Sequence, residues 1–272
     1  CILSLTGLLA HAQLKVALPE EVNKFFKTKT MVVLTEDMLS DYDEVIQDAV
    51  KKYWTITDYE FIGPEEFEKY AMKKEYSFLV LSTLKVVQKD VALTFKLLNF
   101  VLGGDSKDLN RMPDLGSVPV LFEMYDISPS YYKLPSILQF MQKNILYIKE
   151  NPGISTASLL KHYDRQQEEI QKKELWLLEE ELGPDINTIE KIQKIYPYTV
   201  KIVSHEELKK AIDVQNKNVC FLYKIAAIKR INQGKTLKMI FSTDGNLYYI
   251  DQHTVSENKP DALLKEDLNR IR

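Results

Sequence analysis

Continuous apolar runs alternate with helical stripes along the first half of the chain. The runs Met31–Leu34 and Tyr59–Ile62 predict strands, and an apolar stripe between Asp41 and Trp54 predicts a helix that connects them. A helical connection of this kind leaves the two strands parallel. Beyond Gly63 the pattern predicts a second helix, and then a meander of three strands and a closing helix at Tyr76–Val87, Val91–Leu102, Val118–Met124 and Tyr132–Lys149.

The second half repeats this order with little sequence identity. Three of its segments correspond to segments of the first half: 173–180 to 29–36, 202–208 to 61–67 and 220–224 to 77–81. Its meander is predicted at Val219–Lys229, Lys235–Thr243 and Asn246–Gln252. A last helix is predicted to begin at Pro260. We interpret the repeated order as an internal duplication, which determines the architecture before any motif does.

The pattern divides the chain into four predicted parts. Residues 1–12 stand apart, and residues 13–150 form a first α/β repeat with a lead-in helix at Pro19–Lys27. Residues 151–172 form a polar bridging helix, and residues 173–272 form the second repeat. Each repeat is a β-α-β-α-β-β-β-α unit, parallel at its start and antiparallel at its end. The predicted fold class is α/β (α+β mixed), with two fused copies of a mixed-sheet domain.

Local signals predict several element boundaries. Capping boxes, in which a polar residue is followed three positions later by an acid, are predicted at Ser40/Asp43, Asn187/Glu190 and Ser204/Glu207. The Asp-Gly pair at 244–245 predicts a two-residue hairpin turn. This turn places Lys238 opposite Asp251 and Phe241 opposite Tyr248 on neighbouring strands.

The N-terminal apolar run is typical of a signal peptide. Ile2–Leu9 is followed by Ala10-His11-Ala12, whose small residues fit a signal-peptidase cut after Ala12. The run is shorter than the roughly 20 residues of a membrane span. The sequence therefore predicts export to the periplasm or beyond, with residues 1–12 as a signal remnant. Two alternatives remain, a lipidated Cys1 and a core helix or strand at this end.

Composition and motifs favour a non-catalytic protein. The formal charge of −3 and the pI near 5.9 provide no attraction to nucleic acid or to anionic lipid. The sequence contains no nucleophile elbow, Walker loop, dinucleotide fingerprint or zinc-binding helix, and the three histidines beyond residue 12, at 162, 205 and 253, are far apart. We predict that the protein is not an enzyme and has no cofactor and no metal site. Cys220 lies in an apolar run and is predicted to be buried and unreactive.

A long polar connection follows the fourth strand of the first repeat. The second repeat has only the Asp-Gly turn at the corresponding place, and long insertions often carry function. Four charged residues within Gly103–Gly116 are predicted to contact a partner: Asp105, Lys107, Asp108 and Arg111. The alternative is a solvated hairpin end without a binding role.

Two further groups of residues have more than one interpretation. Acidic residues cluster at 36–37, 41–44 and 179–181, where the first strand of each repeat ends. They form either a cation or substrate site or a set of charges that stabilises the start of the next helix. Several aromatic residues either line a surface for carbohydrate or protein or pack in the core: Tyr125, Tyr131, Tyr132 and Trp176.

The order of elements resembles the N-terminal α/β domain of TolB and the related core of CsgG-type envelope proteins. The resemblance is carried by Met31–Leu34, Asp41–Trp54, Phe61–Ile62 and the hairpins after Ser77, and by Val219–Lys229, Lys235–Thr243 and Asn246–Gln252. It covers most of the chain as topology and apolar pattern, without a signature motif. It implies an exported module that works through protein contacts in the cell envelope. A thioredoxin-like fold shares parts of this order, but the sequence has no C-x-x-C motif.

These observations predict an exported, non-catalytic interaction or assembly module of the cell envelope, with an envelope protein as its partner. They predict no nucleic-acid binding and no membrane span. Two alternatives remain: a secreted hydrolase, or a protein that binds a small ligand or glycan, each with its site at the junction of the repeats.

Overall fold

The computed structural model describes residues 16–88, 91–122, 131–230 and 233–272. The predicted signal remnant at 1–12 and the aromatic residue Tyr125 lie outside the described residues. The chain divides into two compact units, Cys1–Leu159 and Leu160–Arg272. Each unit contains one five-stranded sheet together with helices.

The first unit follows the predicted order of elements. Its helices are α1 (Pro19–Phe25), α2 (Tyr42–Tyr53), α3 (Pro64–Tyr70) and α4 (Leu134–Glu150). Its strands are β1 (Lys29–Val33), β2 (Tyr59–Ile62), β3 (Tyr76–Gln88), β4 (Val91–Leu102) and β5 (Val118–Phe122). The sheet order is β2-β1-β3-β4-β5. β1 is parallel to β2 and β3, and β4 is antiparallel to β3 and β5, which confirms the predicted mixed sheet.

The second unit has the same sheet order. Its strands are β6 (Glu174–Leu177), β7 (Val200–Ile202), β8 (Val219–Arg230), β9 (Gln233–Ser242) and β10 (Leu247–Thr254), in the order β7-β6-β8-β9-β10. The helices after α4 are α5 (Thr156–Asp164), α6 (Glu168–Gln171), α7 (Ile189–Gln193), α8 (His205–Asp213) and α9 (Lys265–Arg270). The predicted α/β mixed fold with two similar halves is therefore confirmed.

The structure divides the predicted bridging helix into α5 and α6. The amide of Gln166 donates to the carbonyl of Tyr163. This bond spans three residues instead of four, as in a 3₁₀ turn, so the α-helix ends here. No helix among the described residues is long and apolar enough to span a membrane.

An ion pair occurs at equivalent positions of the two sheets, with the acidic and basic residues exchanged. Lys29 on β1 bonds Glu60 on β2 at 2.6 Å, and Glu174 on β6 bonds Lys201 on β7 at 2.7 Å. In both sheets the pair joins a first strand to its parallel neighbour, with the charges exchanged. The same cross-strand contact is therefore kept although the residue types differ, which is consistent with the interpretation of a duplication.

The strand ladders correct one predicted correspondence by one residue. Ser77 pairs with Thr30, and its counterpart Cys220 pairs with Leu175, so Thr30 corresponds to Leu175 and not to Glu174. A slip of one residue would send every side chain of the strand to the opposite face. The other two correspondences, which match Phe61 to Ile202 and Ser77 to Cys220, agree with the ladders.

The first sheet is covered on both faces. Phe100 of β4 packs edge-on against Phe25 of α1 and Trp54 after α2, with ring centroids 4.9 and 5.8 Å apart. The next residue, Val101, belongs to a cluster on the other face that contains Phe67 of α3. Because consecutive strand residues point to opposite faces, the continuous apolar runs of β1 and β3 are explained by burial on both sides.

One of the three predicted capping boxes is confirmed. The hydroxyl of Ser204 accepts from the amide of Glu207, whose carboxylate accepts from the amide of Ser204. The other two predictions are displaced by one residue, because Asp41 precedes α2 and the Thr188 hydroxyl caps α7. Asp43 does not cap α2, since its carboxylate bonds the preceding loop instead.

The substitution Ser204→Ala is expected to lower the free energy of unfolding by about 1 kcal/mol, because it removes the side-chain acceptor at the start of α8. Urea unfolding followed by circular dichroism measures the change. Ser204→Asp, which keeps an acceptor, is expected to retain most of the stability. Equal losses in the two variants would contradict a capping role.

The predicted hairpin after β9 is half correct. Lys238 lies opposite Asp251 as expected, but Phe241 lies opposite Leu247 and not opposite Tyr248. An irregularity between Leu247 and Tyr249 shifts the register next to the turn, as a β-bulge does. The last helix begins at Lys265 and not at Pro260, because Leu263 forms a bridge with Leu182 in extended conformation.

Candidate functional site

Two large apolar side chains are exposed on the loop that follows β1. This β1–α2 loop comprises Leu34–Asp41, and Met38 and Leu39 within it are 98% and 90% exposed. The loop leaves the carboxyl end of a strand that is parallel to both neighbours, the edge at which open α/β sheets bind their ligands. Contiguous exposed apolar side chains mark contact sites more often than isolated ones do.

The carboxylate of Asp43 holds the start of the loop. Its Oδ1 accepts from the amide and the hydroxyl of Thr35 at 2.7 and 3.0 Å, and its Oδ2 accepts from the amide of Glu36 at 2.8 Å. Glu36 has a φ of 58°, a left-handed conformation that is uncommon for a residue with a side chain. The hydrogen bonds to Asp43 therefore stabilise a conformation that the isolated segment would rarely adopt.

A second set of bonds forms the tip of the loop. The carboxylate of Asp37 accepts from the amide of Leu39 at 3.0 Å, and the carbonyl of Asp37 accepts from the amide of Ser40 at 3.2 Å. The hydroxyl of Ser40 accepts from the amide of Tyr42 at the start of α2. Met38 and Leu39 are therefore displayed by an ordered turn.

The corresponding loop of the second unit buries its apolar residues. This loop runs from Leu178 to Thr188, and both Leu178 and Leu182 are buried. The chain near Leu263 covers it, because Leu263 donates its amide to the carbonyl of Glu181 and accepts from the amide of Gly183. The same position in the fold is thus closed in the second unit and exposed in the first.

The acidic residues near these loops have structural partners. Asp43 and Asp37 bond loop amides, and His205 bonds Glu180 at 2.5 Å. Among the described residues, no group of three or more His, Cys, Asp or Glu side chains is arranged to hold a metal ion. Asp37 and Asp43 therefore stabilise the loop itself, and the predicted stabilisation of the next helix stays a prediction.

The predicted partner-binding residues of Gly103–Gly116 are all exposed. Asp105 approaches Lys74 at 3.2 Å, Lys107 approaches Glu68 at 3.4 Å, and Arg111 approaches Asp108 at 3.6 Å. Exposed ion pairs of this kind contribute about 0–1 kcal/mol each. Their predicted role in binding a partner stays a prediction.

The backbone of the same connection is anchored. Met112 and Leu115 are buried, and one oxygen of Asp114 accepts from the amides of Gly116 and Ser117. The connection starts where Leu102 pairs with Ser77, at the amino end of β3. It therefore lies at the end of the first sheet opposite to the β1–α2 loop, since β1 and β3 are parallel.

An open depression of about 750 Å³ is present beside the connection from α2 to β2. It is lined by Lys29 and by residues 54–59. Trp54 is buried and its indole donates to the hydroxyl of Thr57, so the ring is not displayed as a stacking surface. A hydrogen bond to Glu60 raises the pKa of Lys29 and keeps it cationic. The depression is shallow and polar.

A buried ionic cluster lies in the second unit. Lys238 and Asp267 are 1% and 2% exposed, and the amine of Lys238 is 2.5 Å from both oxygens of Asp267. The hydroxyl of Tyr249 donates to Asp267 at 2.6 Å, and burial raises the pKa of Tyr249. Because Asp267 belongs to α9 and Lys238 to β9, the cluster fixes the last helix on its sheet.

His253 is a half-buried base near this cluster. Its Nε2 is 2.9 Å from the carbonyl of Pro260, its Nδ1 has no hydrogen-bond partner among the described residues, and burial lowers its pKa. The unfolded chain therefore binds a proton more readily than the folded chain does.

We expect the free energy of unfolding to fall as the pH drops from about 6.5, the ordinary pKa of histidine, through the lower pKa of folded His253. The variant His253→Gln is expected to lose less stability over this range. Urea midpoints at pH 7.5 and pH 5 measure the difference. Identical pH dependence in both proteins would contradict the expectation.

Among the remaining predicted residues, Tyr131, Tyr132 and Cys220 are buried, whereas Trp176 is half-buried. Tyr131 and Tyr132 are buried, so an exposed aromatic surface at these two positions is excluded. Cys220 is buried as predicted, and burial raises its pKa to about 12, which keeps the thiol protonated and unreactive. The exposure of Met38 and Leu39 could not be predicted, because nothing in the local sequence distinguishes them from core residues.

The fold and the β1–α2 loop define a mixed α/β protein of two similar units, one of which displays apolar side chains on an ordered loop. No family model, curated protein or solved structure matches the chain. The resemblance to TolB and CsgG-type proteins therefore stays a prediction.

Proposed function

We propose that the protein is an exported, non-catalytic interaction module of the cell envelope and that the β1–α2 loop binds its partner protein. The observation that carries the proposal is the nearly complete exposure of Met38 and Leu39 on a hydrogen-bonded loop. The export step and the envelope location rest on the signal-like residues 1–12.

The energetics favour a binding role for these side chains. Covering a methionine or leucine side chain contributes about 1.5–3 kcal/mol, and the hydrogen bonds of Asp37 and Asp43 order the loop before binding. An ordered loop loses little conformational freedom when a partner covers it. The covered loop of the second unit shows that the fold accommodates an apolar segment at this position.

The charges around the loop define the chemistry of the partner. Glu36, Asp37 and Glu44 are exposed, and the sequence has no Lys or Arg between residues 34 and 50. We expect the partner to offer an apolar recess with lysine or arginine residues at its rim, because complementary charges steer association and exclude wrong partners. The residues Asp105, Lys107, Asp108 and Arg111 remain a proposed second contact at the other end of the sheet.

The double variant Met38→Ser/Leu39→Ser tests the proposal. It is expected to abolish capture of the partner from crosslinked native envelopes and to leave the free energy of unfolding within about 0.5 kcal/mol, because both side chains are exposed. Val214→Ser is the matched control, since Val214 is an exposed apolar residue of the second unit.

A second variant separates the two candidate surfaces. Lys107→Ala/Arg111→Ala is expected to weaken capture of the partner less than Met38→Ser/Leu39→Ser does, because these residues belong to the second contact. Point substitutions are used because deletion of the connection would remove the buried Met112 and Leu115. Loss of the partner in this variant alone would transfer the binding site to Gly103–Gly116. Unchanged capture by Met38→Ser/Leu39→Ser would contradict the role of the β1–α2 loop.

A further inference from the structure

Met38 is the most exposed methionine of the described part of the chain. Its side chain is 98% exposed, and Met72 follows with 49%. The hydrogen bonds of Asp37 to the amides of Leu39 and Ser40 order the turn on which Met38 lies. The other described methionines are each 4% exposed or less: Met31, Met112, Met141 and Met239. The fold therefore presents the thioether of Met38 to any dissolved oxidant and shields those of the cores.

A hydroperoxide oxidises an accessible thioether in a single step. The lone pair of the sulfur attacks one oxygen of hydrogen peroxide, and an S–O bond forms as the O–O bond breaks. The proton on the transferred oxygen passes to the departing hydroxide, which leaves as water. The sulfur loses two electrons and the peroxide gains them. The product, methionine sulfoxide, is polar and chiral, whereas methionine is flexible and apolar.

The structure provides little competition for a mild oxidant. Cys220, the one thiol among the described residues, is buried, and burial raises its pKa to about 12. A cysteine reacts as the thiolate, which is suppressed here. A buried thioether becomes accessible only when the fold opens locally. Oxidation is therefore expected to begin at Met38.

We infer that Met38 is a site of reversible oxidation and that its sulfoxide weakens binding of the partner by the β1–α2 loop. The first part rests on the exposure of Met38, and the second part rests on the proposed function. A partner that covers Met38 encloses an apolar side chain, whereas the sulfoxide brings a strong acceptor into the same apolar recess. Because an acceptor buried without a donor is costly, the affinity is expected to fall on the order of tenfold to a hundredfold.

Peptide mapping by mass spectrometry tests the modification site. The purified full chain is treated with hydrogen peroxide, and sulfoxide formation is followed at each methionine. Met38 is expected to oxidise first, and at least about tenfold faster than the buried methionines, which react only through local opening. In denaturing urea, the matched control, the rates are expected to converge. Equal rates at Met38 and at the buried methionines of the folded chain would overturn the inference.

Met38→Leu separates oxidation at this position from damage elsewhere. Each protein is compared with itself before and after peroxide, by capture of the partner from crosslinked native envelopes. Capture by the wild type and by the control Met72→Leu is expected to fall, and capture by Met38→Leu is expected to stay at its own starting level. A methionine sulfoxide reductase is expected to restore the wild type, since it returns the thioether with release of water while a thiol is oxidised to a disulfide.

Equal fractional losses in Met38→Leu and the wild type would overturn the inference, because the damage would then lie at another residue. Unchanged capture by a wild type whose Met38 is fully oxidised would overturn it as well. Failure of the proposed function is distinguishable: untreated Met38→Ser/Leu39→Ser would then capture the partner normally. Failure of the present inference alone would leave that variant defective and the oxidised wild type competent.

Discussion

The substitution Lys238→Met is expected to lower the free energy of unfolding by about 3–5 kcal/mol, because it leaves the carboxylate of Asp267 buried without a counter-charge. Asp267 is 2% exposed and already accepts hydrogen bonds from Tyr249 and from the amide of Leu264. These neutral donors do not replace the ammonium group 2.5 Å away. Urea unfolding of the purified chain measures the loss.

The double variant Lys238→Met/Asp267→Asn separates the charge from the packing. It removes both charges; the amide oxygen of the asparagine accepts from Leu264, and its amide nitrogen donates to the hydroxyl oxygen of Tyr249, which in the wild type bonds the other carboxylate oxygen. Its loss is therefore expected to be smaller than that of Lys238→Met alone. Lys209→Met, which breaks the exposed pair with Asp213, is expected to cost less than about 1 kcal/mol. Equal losses in the first two variants would show that the ion pair is not the source of the stability.

The substitution Asp43→Ala is expected to lower the free energy of unfolding by about 2 kcal/mol and to weaken capture of the partner. It removes the acceptor of three hydrogen bonds from Thr35 and Glu36, and bonds to a charged group contribute about 1.5–3 kcal/mol when it is desolvated. The expected loss of stability is near the lower end of this range because Asp43 is only partly buried. Met38 and Leu39 are retained, so any loss of binding reflects loop order.

Asp48→Ala is the matched control for Asp43→Ala, since Asp48 is exposed on the same helix. Its stability and partner capture are expected to match the wild type. If Asp43→Ala destabilised the chain but captured the partner normally, the ordered conformation of the β1–α2 loop would not matter for binding.

Much of the fold follows from local sequence. The apolar runs of β1 and β2, joined by an amphipathic helix, determine parallel neighbours, and the turn at 244–245 determines the facing of Lys238 and Asp251. These signals lie within short segments, so a single sequence reveals them. The bulge that displaces Phe241 could not be predicted, since it depends on how β10 packs beyond the turn.

The candidate site could be predicted only in part. Met38 and Leu39 follow an apolar strand, as Leu178 and Leu182 do in the second unit, yet only the latter pair is covered. Whether a distant segment covers a loop is a tertiary property that local pattern does not contain. The ion pair of Lys238 with Asp267 could not be predicted for the same reason, since it joins residues that are far apart in sequence.

The offset between β1 and β3 could not be predicted from the sequence either. The lengths of β1 and β3 follow approximately from their apolar runs, but the offset between them requires the ladder that ends at Val33 and Val80. Without that register, Leu81–Gln88 are indistinguishable from a strand with two neighbours.

A photo-crosslinking amino acid at position 39 tests the binding role of the β1–α2 loop most directly. The same label at position 107 reports on Gly103–Gly116, and a label at Val214 reports on random encounters. In native envelopes we expect one discrete adduct from position 39, and no such adduct from position 214. Absence of an adduct at position 39, or the same adducts from 39 and 214, would contradict the proposal that this loop binds a partner protein.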